Sequence, residues 1–115
     1  MKVAGKIWVE NKDGEKIFGL GICELLKGVG TYGSLSESAK QMSMSYNKAH
    51  NLVKTMERRL GFDIITTKIG GARGGGSKLT EKGIDLIKRY EDMMVELRQD
   101  MAKASEKYFS DFMEK

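Results

Sequence analysis

Residues 33–60 read GSLSESAKQMSMSYNKAHNLVKTMERRL, and their apolar positions fall into two helical stripes separated by a short turn. In the first stripe Leu35, Ala39 and Met42 share one side, the spacing of an amphipathic helix. Ser34-x-x-Glu37 has the form of a capping box, and Ser36 is a competing N-cap. Ser43-Met44-Ser45 then makes a turn. The second stripe, Ala49, Leu52, Val53, Met56 and Leu60, predicts a helix over 46–60, stopped by Gly61. Opposite that stripe stand Asn47, His50, Asn51, Lys54 and Arg58, with Ser45, Tyr46 and Lys48 at the N-terminal end. Two short helices across a tight turn, the second apolar inside and polar outside, form the pattern of a helix-turn-helix. In that motif the second helix lies in the DNA major groove.

The flanks have their own periods. Residues 2–10 alternate, with Val3, Gly5, Ile7 and Val9 on one side and Trp8 on the other. Asp13-Gly14 predicts a turn and residues 16–18 a return strand, so 3–18 is expected to be a β-hairpin. Residues 20–29 read as a helix ended by Gly30 and Gly33. Residues 64–69 read as a strand, 70–77 as a glycine-rich loop and 78–79 as the return, a hairpin spanning 63–79. Thr80 N-caps a long helix that runs nearly to the end, over 80–113. On it Ile87, Tyr90, Met94, Leu97, Met101, Ala104 and Tyr108 recur at spacings 3, 4, 3, 4, 3, 4, a heptad seam. Such a seam at the edge of a small domain predicts a homodimer; the alternative is a helix folded back over the N-terminal hairpin. The expected fold class is α+β, mainly α: a winged helix-turn-helix over 1–83 with a long dimerisation helix behind it.

Charge sharpens this picture. The net charge of +4 over 115 residues is mild, but residues 40–82 hold nine Lys/Arg against three Asp/Glu. Residues 1–39 are balanced at five each, and residues 83–115 hold six against eight. The basic excess therefore coincides with the helix-turn-helix and the glycine-rich hairpin, where phosphate binding requires it. One cysteine, Cys23, leaves no internal disulfide and fits a reducing cytosol. There is neither a secretory signal nor an apolar run of about 20 residues for a membrane span, so a cytoplasmic protein with no membrane partner is expected.

The loop Gly70-Gly71-Ala72-Arg73-Gly74-Gly75-Gly76-Ser77 suggests two chemistries. Its glycines let backbone approach a phosphate chain closely, and Arg73 can enter a minor groove, with Gly74 and Gly75 against the backbone. A nucleotide phosphate loop would instead need Gly-x-x-x-x-Gly-Lys-Ser/Thr. Here Ser77 precedes Lys78, and no second βα unit follows. Catalysis has little to work with, because the single His50 and Cys23 are far apart and carboxylates lie scattered on helix faces. An enzyme, a cofactor and a metal site are not expected.

Gly33-Ser34, Ala39, Met44-Ser45-Tyr46, Lys48-Ala49, Leu52-Val53, the Gly70-Gly71 and Gly74-Gly75-Gly76 runs and Leu79-Thr80-x-x-Gly83 resemble the N-terminal DNA-binding domain of ModE-type molybdate-responsive transcription regulators. The chain is more distantly similar to LysR-type regulators. It departs from the ModE pattern where Ser43 replaces a glycine of the turn and His50 replaces a bulky aromatic residue. The resemblance implies a winged helix-turn-helix that dimerises through the N-terminal hairpin and the long helix. Full-length family members also carry oxyanion-binding domains. None is recognisable in these 115 residues, so molybdate is not expected to bind this chain. The expected function is a sequence-specific transcription regulator that binds double-stranded DNA as a homodimer on a pseudo-palindromic site. Ser45, Tyr46, Asn47, Lys48, His50, Asn51, Lys54, Arg73, Gly74 and Gly75 would meet DNA. The alternatives are a winged-helix protein-interaction module and a small-ligand sensor.

Overall fold

The computed structural model describes residues 1–68 and 76–112. Its elements run β1 (Val9–Glu10), β2 (Lys16–Phe18), α1 (Leu20–Tyr32), α2 (Leu35–Gln41), α3 (Tyr46–Leu60), β3 (Ile65–Lys68), β4 (Gly76–Leu79) and α4 (Glu81–Phe109), then a 3-10 turn (Ser110–Phe112). This is an α+β winged helix dominated by helices. Each β-sheet is a two-stranded antiparallel hairpin.

Local signals set most helix ends. Ser34, Ser45 and Thr80 each accept a hydrogen bond from the backbone N–H three residues on, satisfying one free donor of the helix they open. Gly33 and Gly61 close α1 and α3 in the left-handed conformation. Gly30, expected to help end α1, lies inside the helix, which continues to Tyr32. The capping box is only half made: Glu37 accepts from Gln41 and does not reach back to Ser34. Ser43 takes φ 54° in the turn between α2 and α3. That left-handed position costs a non-glycine residue about 1 kcal/mol.

The core is one cluster. Phe18, Ile22, Leu25, Leu26 and Val29 meet Leu35 and Ala39 of α2, Ala49, Val53 and Met56 of α3, and Ile64. Ile87, Tyr90 and Met94 of α4 close it, and Phe18 packs edge-on to Tyr90 with ring centroids 5.2 Å apart. Helices α1 and α2 cross closely because Gly28 faces Ser38, whose buried hydroxyl donates to the Leu25 carbonyl at 2.6 Å. Ala39, buried and small, fits the same crossing.

Two expectations are corrected by this packing. The N-terminal strand is confined to Val9–Glu10, because the facing strand has three residues and the register shifts between Val9 and Glu10. Residues before it instead meet α4: the Tyr90 hydroxyl donates to the Ile7 carbonyl at 3.0 Å, and the Val3 N–H donates to the Ser105 hydroxyl at 2.7 Å. The heptad seam is also divided. Ile87, Tyr90 and Met94 are buried inside their own chain, so this half of the seam does not wait for a second copy. Leu97, Met101 and Ala104 are half-buried, and Tyr108 is exposed. The seam does not stop where the core stops, and α4, at about 1.5 Å per residue, carries it beyond. The fold is correspondingly elongated, 62 × 32 × 23 Å.

Candidate nucleic-acid interface

Helix α3 presents one apolar and one polar face, as its sequence requires. Ala49, Val53 and Met56 are buried, whereas Ser45, Tyr46, Asn47, Lys48, Asn51, Lys54 and Arg58 are exposed. His50 is half-buried because its ring stacks on Tyr46, with centroids 5.8 Å apart and planes inclined by 30°. At the N-terminus of α3 the Ser45 hydroxyl takes the Lys48 N–H at 3.1 Å, and the free N–H groups of that first turn suit an anion.

The β3–β4 hairpin stands beside this face. A groove of about 310 Å³ separates the two; Tyr46, His50 and Lys54 line one wall, Thr67, Gly76 and Ser77 the other, and Ser34 and Ser36 the α2 end. Ser34, Ser36, Thr67 and Ser77 were not among the residues expected to face a ligand. Only tertiary packing brings the start of α2 to the hairpin, although the hydroxyl-rich Ser34-x-Ser36 and Thr66-Thr67 pairs were visible in the sequence. Arg73, Gly74 and Gly75 lie outside the described residues. The expected loop is shorter at its far end, because Gly76 and Ser77 pair with Lys68 and Thr67 as strand.

Three ties hold the hairpin base. The Ser77 N–H donates to the Gly33 carbonyl at 3.0 Å, where a Cβ on Gly76 would come within 2.8 Å of the same oxygen. Thr80 donates its backbone N–H to Ile64 at 3.0 Å and its hydroxyl to Asp63 at 2.8 Å. Glu57, on the inner edge of α3 and 7 % exposed, accepts from the Ile64 N–H at 2.8 Å and the Ile65 N–H at 3.3 Å. Glu57 carries no local sequence signal for this role, because one acid in a basic helix has the pattern of a solvated residue.

The cations divide between two faces. Lys48, Lys54 and Arg58 lie on the outer side of α3. Arg59 turns the other way, donating to the Lys16 carbonyl at 2.9 Å and pairing with Glu15 at 3.3 Å, which moors α3 to the N-terminal hairpin. Among the described residues no group of three His, Cys, Asp or Glu side chains could hold a metal. No described helix is long and apolar enough to cross a membrane.

No family model matches the chain. Curated relatives do. It is 38% identical over 66 residues to the molybdenum-pterin-binding protein MopB of Rhodobacter capsulatus, covering 57% of this chain and 24% of that protein. It is 33% identical over 75 residues to the DNA-binding transcriptional dual regulator ModE of Escherichia coli strain K12, covering 65% and 28%. It is 28% identical over 83 residues to the molybdenum transport protein ModE of Azotobacter vinelandii, covering 72% and 31%. The chain thus spans about a quarter to a third of the length of these relatives. Over the matched length the chain is similar to the ModE-type regulators.

Proposed function

We propose that this protein is a sequence-specific DNA-binding transcription regulator that acts as a homodimer on a pseudo-palindromic site. The observation that carries the reading is the exposed row Asn47, Lys48, Asn51 and Lys54 on α3, standing beside a β-hairpin across an open groove. A recognition helix offers such a row to base edges and phosphates. Asn47 and Asn51 have the donor and acceptor that adenine takes in the major groove, while Lys48 and Lys54 suit phosphate. Ser45 and Tyr46 sit where the helix start meets the backbone. His50, stacked on Tyr46, shapes that end of the helix. Arg73, Gly74 and Gly75 complete the wing in this reading, in the adjacent minor groove. Residues 1–83 form the DNA-binding unit and 80–113 the dimerisation helix.

A second copy is supported by apolar surface along α4. Trp8, Leu20 and Val95 are 47%, 57% and 54% exposed. Two adjoining clefts that share Leu20, Tyr90, Met94 and Arg98 link these residues to Met101. Isolated exposed apolar side chains are ordinary, but a contiguous set marks a contact surface. A two-fold dimer would present two recognition helices to half-sites about one helical turn apart.

Purified protein is expected to be retained on duplex DNA with affinity that falls steeply with salt, and to sediment as a dimer at micromolar concentration. Added molybdate is expected to leave that affinity unchanged. Salt-independent retention, or none, would favour a winged-helix protein-interaction module instead.

A further inference from the structure

Glu57 joins α3 to the strand that leads into the β3–β4 hairpin, and its two oxygens do different things. Oε2 accepts the Ile64 and Ile65 backbone N–H groups at 2.8 and 3.3 Å. Oε1 lies 3.3 Å from the Lys54 ammonium, one turn earlier on the helix. The carboxylate is almost wholly buried, while the Lys54 side chain is more than half exposed. The pair therefore joins an interior anchor to an outward-facing cation. A buried carboxylate requires partners for its lone pairs. Two backbone donors and one ammonium supply them here.

We infer that Glu57 is a positioning residue for DNA binding: it fixes the hairpin against the recognition helix and holds the Lys54 ammonium on the DNA-facing side while offsetting part of its charge. The inference rests on the DNA-binding reading above. Lys54 stands on the outer face of α3 and lines the groove toward the hairpin, so its charge is spent near the phosphate path. A neighbouring carboxylate 3.3 Å away makes that charge count for less toward phosphate. It also sets where the ammonium lies, since a lysine left alone samples many rotamers. Helix, hairpin and cation thereby share one buried group, and a displacement of the hairpin is coupled to the position of Lys54.

The test is a double-mutant cycle read through salt dependence. Glu57→Gln keeps an oxygen acceptor for the two amides and removes the charge. Wild type, E57Q, Lys54→Ala and the double variant are titrated with a fluorescent duplex of random sequence between 50 and 200 mM salt. One more effective phosphate contact increases the affinity lost over that range by about 3.5-fold. E57Q is expected to bind more tightly than wild type at 50 mM and to lose up to about 3.5-fold more affinity by 200 mM. In the Lys54→Ala background the same substitution is expected to change neither quantity. A merely structural Glu57 would alter melting temperature without altering the salt slope. An unchanged slope in folded E57Q overturns the inference, as does an E57Q effect that persists in full without Lys54. Wild type that does not bind the duplex at all overturns the DNA-binding reading, and this inference with it. The anchor is also tested without substitution, by amide hydrogen exchange on the wild-type chain. Slow exchange at Ile64 and Ile65 is expected; exchange as fast as at exposed loop amides overturns the anchoring role.

Discussion

Gly28 on the first helix stands so close to Ser38 on the second that a methyl group at Gly28 would overlap the Ser38 hydroxyl and lie 2.9 Å from its Cβ. The hydroxyl cannot swing away without cost, because it donates to the Leu25 carbonyl and is buried. The Cβ cannot move at all unless the helix moves. Gly28→Ala is therefore expected to destabilise the fold by about 1–3 kcal/mol, the usual range for overpacking, despite alanine's better helix propensity. Gly30, two residues on, is exposed and would meet only a Leu79 methyl at 3.5 Å. Gly30→Ala should gain up to about 1 kcal/mol. Thermal unfolding of both variants checks the pair, and a Gly28→Ala protein as stable as Gly30→Ala would refute the close crossing.

Ser43 holds the left-handed corner of the helix-turn-helix at φ 54°. Glycine pays no steric penalty there. Ser43→Gly is expected to stabilise the protein by up to about 1 kcal/mol, offset partly by the entropy of a freer unfolded chain. Chemical denaturation reads the change directly. A loss of stability would mean that the serine side chain supports the turn in a way its backbone angle does not reveal.

On α3 the neutral amide and the cation should separate cleanly. Asn47→Ala is expected to change sequence preference by about 1–3 kcal/mol at one base position. Lys54→Ala should weaken operator and random duplex alike and flatten the salt slope by up to about one unit. Site selection from a random duplex pool, followed by salt titration, distinguishes the two. Equal losses on selected and random DNA for both variants would remove the base-reading role of Asn47.

Tyr90 and Leu97 lie one heptad apart on α4 yet face different neighbours. Tyr90 donates to Ile7 inside its own chain, so Tyr90→Phe should cost about 0.5–1.5 kcal/mol of stability and leave the oligomeric state alone. Leu97 is half-buried and lies outside the core cluster. Leu97→Glu should leave the melting temperature of dilute protein nearly intact while shifting sedimentation toward monomer. Unchanged sedimentation would remove Leu97 from the dimer contact.

Burial pushes the Cys23 thiol up to about 11, with Glu91 and Glu24 adding to the rise. Its neutral form is favoured in the folded state. The stability this represents is fully present below the ordinary thiol value of 9.0 and is lost as pH rises through about 11. Native protein at neutral pH should therefore resist alkylation, since the thiolate is the reactive form. Stability followed by denaturant titration should fall between pH 9 and 11, and Cys23→Ala should lessen that fall. Rapid labelling of native protein at pH 7 would contradict this.

The sequence by itself determined the elements whose cause is local. Hydrophobic spacing laid out α3 from Tyr46 to Leu60, and the capping residues Gly61 and Thr80 marked helix ends where the structure has them. Alternation, by contrast, misjudged residues 2–8, because an isolated period cannot say whether a strand has a partner to pair with; here α4 was the available neighbour. The heptad seam was legible as a stripe but not in what it faces, since burial of Ile87, Tyr90 and Met94 depends on where Phe18 and α1 sit. Glu57 was invisible for the same reason. A carboxylate becomes an anchor only when a strand 7 residues later in the chain is folded back onto it, and that return is fixed by the packing of Ile64 and Thr80, not by any pattern within α3. Local sequence chose the helices and their outward faces; long-range packing chose the partners of those faces.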